Sequence, residues 1–358
     1  MNSYLEVISW ISLSICSSTS LILMMKLLKR RLICNYTYTL STCHFFGTWV
    51  FLTILHLTGK INKPSNVPLY KRVLLAFLVM SSIVSMNFNL AFNSIGFYQM
   101  SKLCAVPYMI VWNYLVNKIH YSYQELLSLF ILLIGVALFS VSDVELNLKG
   151  FITAIIAVLT TAHNQMYTNQ YQKEYKINGP ELQLCIMPYE FSFGFLCSII
   201  FEISTKNSFL YADYTVHTVF LALGTIFFAI GVNVATFGLI GKTSSITYQV
   251  VGHFKTVLLL VLGYIFFPSP FESTSQMIRA ISGIVLALLG VFLYTIVKLR
   301  IAKKREEENQ PLLDNNNIKV EKKFEENKYD HTGEEEPIED EDISDPAKMF
   351  KYITEEEQ

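Results

Sequence analysis

The 358-residue chain carries 28 Lys and Arg against 29 Asp and Glu, with 52% hydrophobic residues and a mean hydropathy of +0.38. Its six cysteines, at 16, 34, 43, 104, 185 and 197, form no CxxC pair, which argues against a disulfide framework or a zinc site. No nucleophile-base pair, metal-ligand cluster or phosphate-cradling glycine loop stands out, so an enzyme, a cofactor or a nucleic-acid partner is not expected.

These averages hide two unlike parts. Residues 1–305 hold 22 of the basic and 10 of the acidic residues, whereas 306–358 hold 6 and 19. The first part divides into about ten apolar runs, near 6–25, 36–58, 72–93, 98–117, 124–142, 149–170, 182–202, 216–239, 245–267 and 276–298. A helix needs roughly 20 mostly apolar residues to cross hydrocarbon about 30 Å thick, so each run is a candidate span. The expectation is an all-α membrane protein of about ten transmembrane helices. The first run lacks a basic segment before it and is followed by Lys26, Lys29, Arg30 and Arg31, which favours a retained span over a cleaved signal.

An even number of spans puts both ends on one side. Thirteen Lys and Arg at 60–72, 118, 173–176, 242 and 298–305 oppose seven at 26–31, 149, 206 and 279, so the summed positive-inside bias places both termini in the cytosol. In the fourth run Tyr98-Gln99 precedes Lys102, and in the ninth Tyr248-Gln249 precedes Lys255. Offsets of four and seven residues return to the same helix face, so each pair shares a stripe. Lys255 lies near the middle of its run. There an ammonium costs ~3 kcal/mol even on the lenient insertion scale and should face protein or water rather than lipid. The recurrence divides the body into repeats of five spans, about 1–142 and 149–298, and an odd number of spans makes the second inverted. Gly224, Gly231, Ala235 and Gly238, and again Gly283, Ala287 and Gly290, recur at turn spacing and read as close helix-packing faces.

Residues 306–358 show no apolar periodicity, and the acidic runs at 334–336 and 339–342 read as a disordered acidic cytosolic tail. Within it, Glu308 with Leu312 and Leu313 matches the acidic dileucine pattern read by vesicle-coat adaptors. A chance Leu-Leu in a solvated tail explains those residues as well.

Three segments carry a family resemblance: 93–102 (NSIGFYQMSK), 172–176 (QKEYK) and 252–256 (GHFKT) with Gly263-Tyr264. Through them the chain resembles the nucleotide-sugar and triose-phosphate translocators of the drug/metabolite transporter superfamily. Its Gly-His-x-Lys-Thr form looks like the branch of UDP-galactose and UDP-rhamnose carriers. The resemblance implies ten spans, cytosolic termini, an inverted five-plus-five repeat and exchange of a nucleotide sugar for a nucleoside monophosphate. It also gives Lys102 and Lys255 anion-facing roles and points to the Golgi or endoplasmic reticulum. The dileucine pattern points instead to endosomal or lysosomal membranes; the Golgi is favoured.

The candidate substrate ligands are therefore Lys102 and Lys255. Two ammonium groups suit a diphosphate, since each opposite pair at 4 Å gains about 4 kcal/mol at an effective dielectric of 20. Tyr98 and Tyr248 are candidates for stacking on a base or bonding a sugar hydroxyl, against the commoner role of interface-belt aromatics. Gln99, Gln249, Asn93 and Asn233 are polar candidates, each equally suited to bonding helix to helix. Glu190 in the seventh run departs from the family pattern and is a candidate charge partner for the lysines. His253 reads as packed, and His44 and His163 have no metal spacing. Candidate partners are the nucleotide sugar and monophosphate, lipid, adaptor proteins at the tail and a second copy of the chain. Two other readings stand. A sugar-phosphate or triose-phosphate carrier would favour Arg beside the lysine, but position 256 is Thr. A non-transporting scaffold that recruits coat adaptors would need internal partners for the buried lysines, such as Glu190.

Overall fold

A computed structural model describes residues 3–31, 37–62, 64, 66–93, 95–140, 148–203, 215–266, 275, 278–279, 281–301 and 303–304. The regular elements among them are helical: α1 (Ser3–Arg31), α2 (Thr37–Leu57), α3 (Leu69–Phe92), α4 (Ile95–Leu103), α5 (Ala105–Leu115), α6 (Tyr123–Ser140), α7 (Leu148–Glu174), α8 (Gly179–Ser198), α9 (Val216–Lys242) and α10 (Ser245–Phe266). A π-helical turn, Ile199–Ile203, extends α8, and α11 covers Ile281–Ile301. Among the described residues, six helices are long and apolar enough to cross a membrane: Leu5–Met25, Thr37–Leu57, Leu69–Phe92, Gly179–Glu202, Val216–Lys242 and Ile281–Ile301. The chain is thus a multi-pass helical membrane protein, since helices satisfy every backbone group without water. The other predicted runs are occupied by α4 with α5, by α6, by α7 and by α10. The dileucine residues Glu308, Leu312 and Leu313 lie outside the described residues. Residues 1–297 form one compact unit.

Local chemistry sets the helix ends. Asn178 accepts from the Glu181 amide while the Glu181 carboxylate takes the Asn178 amide, a reciprocal cap with Pro180 in the first turn of α8. The Thr215 hydroxyl likewise accepts from the Thr218 amide at the start of α9. The start of α2 is closed from a distance: the Glu202 carboxylate accepts from the backbone amides of Tyr38 and Thr39, both at 2.7 Å, and from the Thr39 hydroxyl at 2.6 Å. In hydrocarbon those orphan donors have no water to turn to.

The most extensive helix pairings are α1 on α9, α3 on α7 and α2 on α8, followed by α3 on α8 and α2 on α9. The predicted small-residue stripe of α9 takes side chains of α1: Gly224 meets Met24, Gly231 meets Ser17 and Gly238 meets Trp10. The second stripe lets α11 and α6 touch backbone to backbone, because a Cβ on Gly290 would run into Leu132 and one on Gly135 into Leu286 and Ala287. One core gathers α5, α6, α7, α10 and α11 around Met109, Leu132, Val158 and Val257. A second gathers α2, α3, α8 and α9 around Phe45, Leu52, Met80, Met187 and Val234.

Candidate substrate site

The predicted fourth span is not one helix. It is interrupted for one residue at Cys104, whose φ of −64° and ψ of −16° stay in the right-handed helical region while its amide returns to the Ser101 carbonyl in a tightened turn. Pro107 supplies the cause, since it has no N–H to return to the Leu103 carbonyl and its ring crowds that group. Lys102 therefore sits in the last turn of α4, next to an interruption. Its Nζ stands 4.8 Å from the centre of the Tyr98 ring. The turn is anchored by the buried Asn89 of α3, which donates to the Ser101 hydroxyl at 2.7 Å.

The second lysine lies on α10, which runs unbroken past it. The Lys255 Nζ stands 5.6 Å from the centre of the Tyr248 ring and donates to the Ser14 hydroxyl of α1 at 3.1 Å. The Tyr248 hydroxyl lies 3.2 Å from that of Thr236 on α9. Offsets of four and seven residues thus do place each ammonium over its aromatic partner. His253 lies two residues before Lys255 on α10. His253 is buried and its Nε2 makes no hydrogen bond to a described residue.

Neither lysine forms an ion pair with a described carboxylate; the ion pairs among the described residues are Lys71 with Glu174 and Lys242 with Glu6. Both ammonium groups are half-buried and held by neutral groups, a ring face for Lys102 and a ring face with a hydroxyl for Lys255. A ring face and one hydroxyl leave donors to spare on an ammonium that carries three. What this arrangement can do chemically is accept an anion.

The other candidates divide. Asn93 donates to the Asn89 side chain at 2.7 Å and to the Gly150 carbonyl at 3.0 Å, tying α3 to α7. Asn233 donates to the Thr48 hydroxyl at 2.9 Å, tying α9 to α2. In this conformation both bond helix to helix. Gln249 is half-buried, and the side chain of Gln99 lies outside the described residues. Glu190 is the candidate charge partner. It is 1% exposed, and its two carboxylate oxygens make no hydrogen bond to a described residue. Neither lysine is its partner here, because it stands on α8 in the core with α2, α3 and α9 while Lys255 turns to α1. His44 bonds Thr225 and His163 bonds Tyr108, at 3.1 and 2.8 Å. Ser14 and Thr236 were not singled out from the sequence, where a hydroxyl in a distant span carries no local signal.

Comparison with known proteins agrees with this architecture. The model of the "Triose-phosphate Transporter family" matches residues 5–295. The chain is 34% identical over 293 residues to UDP-xylose transporter 1 of Arabidopsis thaliana, covering 81% of this chain and 83% of that one. It is 31% identical over 278 residues to UDP-rhamnose/UDP-galactose transporter 1 of the same plant, covering 77% and 78%. One crystal structure superposes with a TM-score of 0.60 over 80% of this chain and 98% of its own, at 11% identity, a likeness of fold. With a family model spanning nearly the whole helical body, the chain belongs to the triose-phosphate transporter family.

Proposed function

We propose that the protein is an antiporter that carries a cytosolic nucleotide sugar, specifically a UDP-sugar, inward across the Golgi membrane in exchange for a lumenal nucleoside monophosphate. The observation that carries this reading is Lys255, an ammonium within an apolar helix whose contacts are the neutral Ser14 and Tyr248. A second ammonium of the same build, Lys102, stands over Tyr98 on α4. Two cations without a protein carboxylate suit a diphosphate bridge, and the rings beside them suit a base. UDP is favoured because relatives at 31–35% identity are named for UDP-sugars.

The body would work as ten spans in two inverted repeats, 1–142 and 149–298, with both termini cytosolic. The packing supports this. Exchanging each helix for its counterpart five spans on turns the α1–α9 pairing into α7–α3, turns α3–α8 into α9–α2 and leaves α2–α8 unchanged. In such folds the site lies where the repeats meet, near the midplane. Gln99, Gln249, Asn93 and Asn233 would serve as polar partners once the repeats move. Glu308, Leu312 and Leu313 would act as an address read by coat adaptors.

The test is uptake into liposomes containing purified protein, scanned across UDP-, GDP- and CMP-sugars with the matching monophosphates inside. Uptake of UDP-sugars is the expected result. Transport of phosphorylated trioses alone would make the protein a sugar-phosphate carrier, and transport of nothing would leave a scaffold.

A further inference from the structure

Where α1 begins, the ends of α7 and α9 and the start of α8 converge around a cavity of about 440 Å³. The charged side chains that line it are Glu6, Lys173, Lys176 and Lys242, and Lys173 and Lys176 are exposed to solvent. Glu6 is already engaged, paired with Lys242 at 3.0 Å. The carboxylates beside the cavity are engaged as well, Glu174 by Lys71 and Glu181 by the amides of Asn178 and Asn62. Three lysines against one paired glutamate leave the cavity with an excess of positive charge, and the first turn of α8 adds the positive end of a helix dipole. A cleft of one sign between apolar walls concentrates the opposite ion.

One stripe of α1 leads from this cavity to the substrate lysine. Glu6, Trp10 and Ser14 recur every four residues, so they share a face and step along the helix by about 6 Å each. Glu6 meets Lys242 at the partly exposed rim, Trp10 lines the cavity and packs on Gly238 of α9, and Ser14 accepts from the Lys255 ammonium. The antiparallel α9 repeats that order from its other end. Its Lys242 and Gly238 line the cavity, and Thr236, two residues further in, meets the Tyr248 hydroxyl. Along the stripe, the Trp10 ring thus stands between the charged rim and the serine that holds Lys255.

We propose that this cavity is the entry vestibule of the transport path, where Lys173, Lys176 and Lys242 collect the phosphates of a nucleotide before they pass Trp10 to Lys255. This rests on the nucleotide-sugar function proposed above, and in the orientation proposed there the vestibule faces the cytosol. A phospholipid headgroup shares the phosphate chemistry, but the α1 stripe runs from the cavity to Ser14 and Lys255, which favours the transported anion. A nucleotide sugar and a nucleoside monophosphate both present phosphate, so the vestibule serves the two alike.

The test uses liposomes captured through an N-terminal tag, so that the end of the bundle where α1 begins faces outward. At an ionic strength of about 0.01 M charges act over about 30 Å. There Lys173→Gln with Lys176→Gln should raise KM for UDP-galactose, UDP-xylose and UMP alike by about five- to ten-fold, the low end of what a charged cleft adds to local anion concentration, with kcat held. At about 1 M, where that reach falls to about 3 Å, the difference should vanish. Glu6→Gln, which frees the Lys242 ammonium, should lower KM at low salt, a direction that a structural role for these residues does not predict. An unchanged KM, or a loss of kcat that persists at high salt, would overturn the vestibule and leave the proposed function standing. A loss seen in liposomes with phosphatidylserine and not in phosphatidylcholine alone would assign the lysines to lipid headgroups instead. Absence of UDP-sugar and UMP uptake by the unaltered protein would overturn the proposed function and the vestibule with it.

Discussion

Lys255 is the residue on which the account turns, because its ammonium is held inside an apolar helix by one ring and one hydroxyl. Lys255→Ala should abolish exchange while membrane insertion and expression persist, as removing an ammonium from an apolar span relieves its insertion cost. Lys255→Arg should fail as well, since a planar fork cannot replace a compact point charge between Tyr248 and Ser14. Lys102→Ala, beside the helix break, should raise KM for the nucleotide to a similar or lesser degree. Radiolabelled uptake with surface-exposed reference levels checks all three; near-normal transport by the alanine variant of Lys255 would remove it from the site. The lysine–tyrosine pairs were legible because helical spacing fixes which side chains share a face. Ser14 was not, being 241 positions away from Lys255 in the chain, and only the fold brings the two together. The roles of Asn93 and Asn233 were equally hidden, since an amide's sequence context does not say whether its bond goes to a helix or to a ligand.

At the scale of elements, apolar run length located the helices, because hydrocarbon thickness sets how long a span must be. The break in the fourth run was missed although Pro107 was visible, as a proline in the middle of an apolar run is compatible with either a kink or a new helix. The long-range cap of α2 by Glu202 was also missed, being a contact between residues 163 and 164 positions apart. Glu202 bonds two backbone amides and a hydroxyl there. Glu202→Ala should therefore destabilise the purified protein by about 1–3 kcal/mol, the usual cost of leaving buried donors unpaired, seen as a lower Tm in detergent. An unchanged Tm would mean that the cap adds nothing. For the tail, Leu312→Ala with Leu313→Ala should redistribute the protein among membranes under the microscope. An unchanged distribution would make the acidic segment a solvated extension only.

At the scale of the whole molecule, the proposed exchange would take its terms from the two lysines. An empty carrier must turn its site across the membrane with Lys102 and Lys255 lacking any described carboxylate partner, and Glu190 does not fill that role in this conformation. Under the proposed function, a bound nucleotide with close to two negative charges would neutralise them and lower the barrier to rocking one proposed repeat against the other. In the proposed exchange a nucleoside monophosphate would do nearly the same on the return leg, so the charges predict one-for-one exchange. The direct measurement is tracer UDP-sugar uptake at clamped membrane potential into liposomes preloaded with UMP or left empty. Uptake many-fold faster into the preloaded vesicles, and little altered by potential, is the predicted result; equal rates in the two would make the protein a uniporter and contradict the account.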